Sequence, residues 1–243
     1  MRSKIGLNLT NYYSLNFNPK KRSKKSIKFI IIHYTGMKQQ SAAIKRLCDP
    51  NSKVSSHYFI KNNGNVLNLV PDSYEAWHAG ISGWQKFKSM NKYSIGIELN
   101  NPGHDHGYQK FRSKQINSLK KLLNSLILKY KIKNRNILGH SDIAPDRKKD
   151  PGENFPWKLL AKSKLCFWHN LNEKKIKIYR NKRVSRKEEI IFFKNLHKFG
   201  YSKIFKKDRS LLIKAFQRKF RQGSINGKID KECYFICKNL IKS

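Results

Sequence analysis

"KFIIIHYT", residues 28 to 35, sets the fold class. The run Phe29 to Ile32 has no polar face, so it suits a strand buried on both sides. A strand of that kind needs helices packed on its sheet, which places the chain among the α/β proteins. The run ends on His33, so an imidazole emerges at the carboxyl end of a buried strand. A lone histidine there is ordinarily a satisfied core or rim residue, and a ligand role is the alternative.

The flanking sequence supplies the rest of such a sheet. Residues 1–26 are polar and basic and read as an extended N-terminal arm. "QQSAAIKRLCD" has the composition of a helix stopped before Pro50. "SHYFIKNNGNVLNLV" reads as a hairpin turning at Asn62, Asn63 and Gly64. "YSIGIELN" (93–100) alternates, with Ile95, Ile97 and Leu99 on one face and Gly96, Glu98 and Asn100 on the other. Glu98 is expected on an uncrowded face. "SKQINSLKKLLNSLILKY" (113–130) carries apolar residues at helical spacing, and "PWKLLAKSK" starts a helix with Pro156 near its first turn. Together these predict a central mixed β-sheet flanked by helices over residues 27–165. Residues 166–184 are rich in Lys and Asn and read as a linker. Residues 185–243 predict a small three-helix domain, with Gly200 and Gly223 as stops and Asp208 and Asp230 as caps. Its size is near the lower limit for independent folding.

Composition excludes several classes. With 38% hydrophobic and 12% aromatic residues, the chain can build real cores, so wholesale disorder is excluded. No apolar run approaches the roughly 20 residues that span a bilayer. The N-terminus lacks a secretory h-region, so a cytoplasmic location is expected, with periplasm or cell envelope as the alternative. Cys48, Cys166, Cys233 and Cys237 form no CxxC pair and read as free thiols. The net charge of +38 favours acidic polymers. Because the lysines are spread along the chain with no stripe to fill a groove, a nucleic-acid partner is not expected.

A second stretch, "ILGHSDIAPDRKKDPG" (137–152), places His140, Lys148 and Asp150 in a loop stiffened by Pro145 and Pro151. Two neutral imidazoles, from His33 and His140, plus the Asp150 carboxylate match the three-ligand set of a catalytic zinc. The histidines are far apart in sequence, and spacing alone leaves the ligand set open.

"IIIHYTG", "VSSHYFI", "AWHAG", "SIGIELNN" and "GHSDIAPDRKKDPGENFPW" resemble, in order, the type 2 N-acetylmuramoyl-L-alanine amidases. These are zinc enzymes of peptidoglycan cleavage, related to phage amidase-lysozymes and peptidoglycan recognition proteins. The C-terminal "FFKNLHKFGY", "LLIKAFQRKFR" and "INGKIDKEC" are similar to a helical peptidoglycan-binding domain. The resemblance implies one Zn²⁺ per chain on His33, His140 and Asp150, a catalytic Glu98, and Lys148 as oxyanion stabiliser. It implies a peptidoglycan or muropeptide substrate, and the chain is expected to act as a monomer. Ser56 stands where the lysozyme-like branch has a tyrosine, which leaves the proton transfers to Glu98 and makes His57 structural. Trp77, His78, Asn100 and Arg147 are candidate substrate contacts, although Trp77 could equally be core. His104 and His106 in "HDHG" read as solvent-exposed rather than as a metal pair.

Overall fold

The computed structural model describes residues 6–203 and 208–242; residues 1–5 of the expected arm, and 204–207 and 243 of the expected helical domain, lie outside these. In chain order the elements are β1 (Leu9–Asn11), β2 (Phe17–Asn18), β3 (Phe29–Tyr34), α1 (Gln40–Cys48), β4 (Tyr58–Ile60), β5 (Val66–Asn68), β6 (Glu75–Ala76), β7 (Gly83–Trp84), β8 (Phe87–Lys88), β9 (Ser94–Leu99), α2 (Ser113–Tyr130), β10 (Ile137–Gly139), α3 (His140–Ile143), α4 (Trp157–Lys162), α5 (Glu173–Ile176), α6 (Arg186–Phe199), α7 (Arg209–Phe220) and α8 (Lys231–Leu240).

Six strands form one sheet in the order β1-β5-β4-β9-β3-β10. Only the β4–β5 hairpin is antiparallel; the other pairs are parallel, so the sheet is mixed as expected. On β3, Ile30 and Ile32 face α2 and α4 together with Ile95, Ile97 and Leu99 of β9. Phe29 and Ile31 point the other way, into a second core with Leu138 and Ile143. The apolar run is therefore buried on both faces because each face has its own helical cover.

The N-terminal arm is more than an arm. Leu9–Asn11 pairs with Val66–Asn68 as the outermost strand, and Phe17–Asn18 pairs with Glu75–Ala76. A sheet edge offers unpaired backbone groups, and a polar segment can satisfy them without an apolar side chain. Further along, the Arg22 guanidinium donates to the carbonyls of Asp72, Asn91 and Ser94.

The expected linker and tethered domain are likewise packed in. Cys166 is buried in the first core, and the Trp168 ring lies 5.5 Å from that of Phe220. The second core is continuous from Phe29, Ile31, Leu138 and Ile143 of the sheet side to Phe192, Leu196, Phe216 and Ile236 of α6, α7 and α8. Polar ties cross the same junction. The Tyr201 hydroxyl donates to Asp142 Oδ1 at 2.7 Å, Lys219 Nζ donates to Asp142 Oδ2 at 3.0 Å, and Gln222 donates to the Phe155 carbonyl. Gly200 leaves the space that the Trp84 indole fills; a Cβ there would lie 2.3 Å from the ring. The helical termini are capped by Ser185, Asp208 and Asp230, the last two as expected. Helix α7 stops at Phe220, three residues before the expected Gly223.

Candidate active site

Parallel strands bring their carboxyl ends to one rim, the usual place for a site in an α/β sheet. His33 and Glu98 are register partners on neighbouring strands β3 and β9. Gly139 sits opposite Ile32, so His140, the first residue of α3, arrives level with His33. Asp150 returns beside them: its backbone carbonyl accepts the Ser141 N–H at 2.8 Å. Close approach of this loop needs Gly139, where a Cβ would lie 2.7 Å from Pro151 Cδ.

His33 Nδ1 and His140 Nδ1 face each other at 2.9 Å, and each is 3.1 Å from Asp150 Oδ2. All three residues are buried, and among the described residues they are the one His/Cys/Asp/Glu group with metal-ligand geometry. Their outer atoms assign the tautomers. His140 Nε2 lies 3.2 Å from the Ala79 carbonyl, which can only accept, so that nitrogen carries the proton. His33 Nε2 faces His78 Nδ1 at 3.1 Å, and His78 Nε2 faces Ser94 Oγ, whose hydroxyl donates to the Met90 carbonyl. A proton on each Nε2 satisfies this chain and leaves both Nδ1 lone pairs converging on a carboxylate oxygen. Such backing of imidazole ligands is what metal sites require. Three acceptors with no proton between them suit a cation, and the N₂O donor set suits zinc.

The electrostatics agree. Burial, helped by the neighbouring His140, pulls the His33 pKa down to about 4, which keeps the ring neutral. Burial opposes ionisation of Asp150, yet positive charge on the side of His140 and His33 holds its carboxyl well below the usual range, and with both Nδ1 atoms unprotonated a bound cation would supply that charge. Glu98 behaves oppositely. Burial first and the charge of Asp150 second raise its pKa to about 8, with Lys148 pulling the other way. Glu98 Oε2 is buried without a hydrogen-bond partner. A cleft of about 480 Å³ opens over these groups, lined by Trp77, Lys148, Arg46, Lys149 and Asp105 besides the residues named.

Several expectations need correction. The face of β9 that carries Glu98 is not empty: the His78 ring lies over Gly96, where a Cβ would be 2.5 Å from its Cγ. His78 is thus backing for His33 as well as part of the cleft wall. Arg147 lines the cleft, but its guanidinium is occupied by the carbonyls of Ala79 and Ile81 and braces that loop. Asn100 is buried outside the cleft lining, with its amide donating to Asn62. His104 is not a free surface group, since it bonds the Tyr34 hydroxyl at 2.8 Å and Glu153 at 3.1 Å; His106 is exposed. His57 is structural as expected: fully buried, it accepts the Gly96 N–H at Nδ1. The one trace of the His33–His78–Ser94 chain in the sequence is Gly96, a gap in an otherwise bulky strand that does not say which ring fills it.

The sequence profile described as N-acetylmuramoyl-L-alanine amidase matches residues 23–153. The chain belongs to this family. The amidase AmiD of Escherichia coli is 33% identical to it over 231 residues, covering 89% of this amidase and 83% of AmiD. The E. coli 1,6-anhydro-N-acetylmuramyl-L-alanine amidase AmpD is 41% identical over 105 residues, 43% of this chain and 55% of AmpD. Among solved structures, AmpDh3 of Pseudomonas aeruginosa superposes with a TM-score of 0.79 at 29% identity, covering 93% of this chain and 94% of that one. AmiD in complex with anhydro-N-acetylmuramic acid-L-Ala-D-γ-Glu-L-Lys gives 0.78 at 33% identity, covering 93% and 91%. The amidase is therefore an enzyme with the mixed-sheet α/β fold of these relatives. Among its described residues, no helix is long and apolar enough to cross a membrane.

Proposed function

We propose that this amidase hydrolyses the amide between the lactyl carbonyl of N-acetylmuramic acid, or of its 1,6-anhydro form, and L-alanine, in cell-wall turnover or recycling. One zinc ion is held by His33 Nδ1, His140 Nδ1 and Asp150 Oδ2. The observation that carries this reading is the convergence of those three buried acceptor atoms beside Glu98, whose Oε2 has no partner. The anhydromuropeptide bound by AmiD, a relative over most of both chains, supports the substrate class.

Zinc in this position supplies Lewis-acid polarisation of the amide carbonyl and acidifies the attacking water. Glu98 takes the proton released as water adds to the carbonyl carbon. It then delivers that proton to the departing L-alanine nitrogen as the C–N bond breaks. Its environment favours a carboxylate that readily binds a proton, which suits a group that must both accept and return one. The Lys148 ammonium meets the oxygen on which negative charge develops, an interaction stronger in the transition state than with the neutral amide. His78 and the Ala79 carbonyl keep the two imidazoles turned inward, and Trp77 offers an aromatic wall for the sugar or the stem peptide. The C-terminal helices, similar in sequence to peptidoglycan-binding domains, add affinity for polymeric wall.

Protein purified without added zinc is expected to hold close to one zinc per chain, and His140→Ala to lose most of it. Glu98→Gln and Lys148→Ala should keep fold and metal. Their kcat should fall, by about 10²–10⁴ for the proton-transfer group and about 10²–10³ for the oxyanion partner. Mass spectrometry of soluble anhydromuropeptides and of sacculi digested in parallel measures both rates. Full activity in metal-free wild type, or normal turnover by Lys148→Ala, would contradict the assignment.

A further inference from the structure

Asp142 lies two residues beyond His140 and points away from the cleft, into a buried polar knot. Its Oδ2 accepts the Gly139 N–H at 2.8 Å, closing the turn between β10 and α3. The same oxygen accepts from Lys219 Nζ at 3.0 Å, and Oδ1 accepts from the Tyr201 hydroxyl at 2.7 Å. Lys219 Nζ also donates to the Ile137 carbonyl at 3.0 Å. One ammonium therefore ties the strand before His140 to the helix that starts with it. Both outside partners come from the C-terminal segment, Tyr201 just after α6 and Lys219 within α7. The side chains of Lys219 and Asp142 are 4% and 1% exposed, and the ammonium lies 4.4 Å from the centre of the Trp157 ring.

We propose that Lys219 and Tyr201 are positioning residues for the metal site: they fix Asp142, and through it the Gly139–His140 turn that aims His140 Nδ1 at the ligand cluster. The C-terminal helices are then a built-in part of the catalytic frame. Physical grounds support this over simple packing. A buried carboxylate keeps one orientation only while its charge and lone pairs are matched. Here the three partners approach from the strand end, from the helix and from the loop after α6, which leaves the carboxylate no alternative rotamer with equal bonding. A ligand histidine is sensitive to such supports, and their loss typically costs about 10–100-fold in metal affinity or activity. This inference rests on the zinc assignment above.

The test uses the full chain. Tyr201→Phe removes one oxygen, Lys219→Met removes the charge but keeps the stem, and Lys219→Met with Asp142→Asn removes both charges. Asp230→Asn serves as control, because its ion pair with Arg221 at 3.2 Å is similarly buried, while its other bonds go to the backbone of Asn181 and Cys233 rather than to the turn. Zinc release to a chromogenic chelator, kcat and KM on a soluble anhydromuramoyl-L-alanyl peptide, and the His140 ring signals in NMR of the metal-free protein are the readouts. Tyr201→Phe and the double variant should stay folded, release zinc about 10-fold faster or more, lose kcat with little change in KM, and show a mobile His140 ring. The control should do none of these even where its melting temperature falls. Folded variants with wild-type zinc release and an unchanged His140 ring would overturn the proposal, as would a control that loosens zinc equally. A wild type that holds no zinc would instead count against the metal assignment, so the two failures are distinguishable.

Discussion

At the residue scale, the site depends on an absence as much as on its acids and bases. Gly96 has no side chain, and the His78 ring occupies that space while its Nδ1 supports His33 Nε2 at 3.1 Å. Adding one methyl group places a carbon 2.5 Å from the ring, well inside contact distance, and the strand backbone cannot retreat because β9 is paired on both sides. Gly96→Ala should therefore expel His78 rather than shift the sheet. We expect about 1–3 kcal/mol of lost stability from overpacking. We also expect about 10–100-fold weaker zinc binding, since His33 loses its backing. Chelator competition and thermal melts measure both; a variant with unchanged metal affinity would show that His78 is wall rather than support. His33, His140 and Asp150 could be read as candidate ligands because each sits where a strand or a proline-bounded loop ends, and the family resemblance singled them out from other such positions. The support chain could not, since His78, Ser94 and Met90 meet only after the chain folds back over β9.

At the scale of elements, Asp72 joins two of them, strand β4 and helix α2, away from the site. Its carboxylate accepts from Tyr58 of β4 at 2.8 Å, and from Lys129 and Tyr130 of α2 at 2.8 and 2.7 Å. Burial opposes its ionisation, but the bonds from Lys129 and Tyr130 outweigh that and lower its pKa. A carboxyl whose folded pKa is depressed adds stability above its unfolded value, roughly 3.9, and loses it as pH falls through the folded value. Asp72→Asn should thus cost about 1–3 kcal/mol at pH 7, with the gap to wild type closing below about pH 4. Denaturant melts across pH 3 to 7 test it, and a gap that stayed constant with pH would rule the linkage out. Strands β3 and β9 and helix α2 were readable because their side chains repeat with the period of the element. Strand β1 was not, because edge pairing uses backbone groups that any polar segment carries. The 166–184 segment read as linker since its lysines and asparagines outnumber the few residues, Cys166 and Trp168 among them, that anchor it.

At the scale of the whole molecule, the sequence separates two units that the packing joins. Residues 185–243 have the caps and stops of a self-contained bundle, and caps report only local structure. The second core runs without a break from Phe29, Ile31, Leu138 and Ile143, each 1% exposed or less, to the buried faces of α6, α7 and α8. Burying an apolar side chain of this size contributes about 1.5–3 kcal/mol. Uncovering two or three side chains of this shared core would forfeit about 3–9 kcal/mol, a large share of the stability of about 5–15 kcal/mol of an ordinary domain. Cutting near residue 175 would also leave Asp142 buried or bare without Lys219 and Tyr201. A tethered module would tolerate that cut, whereas a shared core would not. We therefore expect full-length protein to unfold in a single calorimetric transition, and a chain ending at residue 175 to aggregate or to lose its near-ultraviolet circular dichroism and its zinc together. Two well-separated transitions, or a truncated chain that folds cooperatively and keeps its metal, would show that the helices are an accessory after all. In that case the Lys219–Asp142 pair would be a docking contact with no hold on His140.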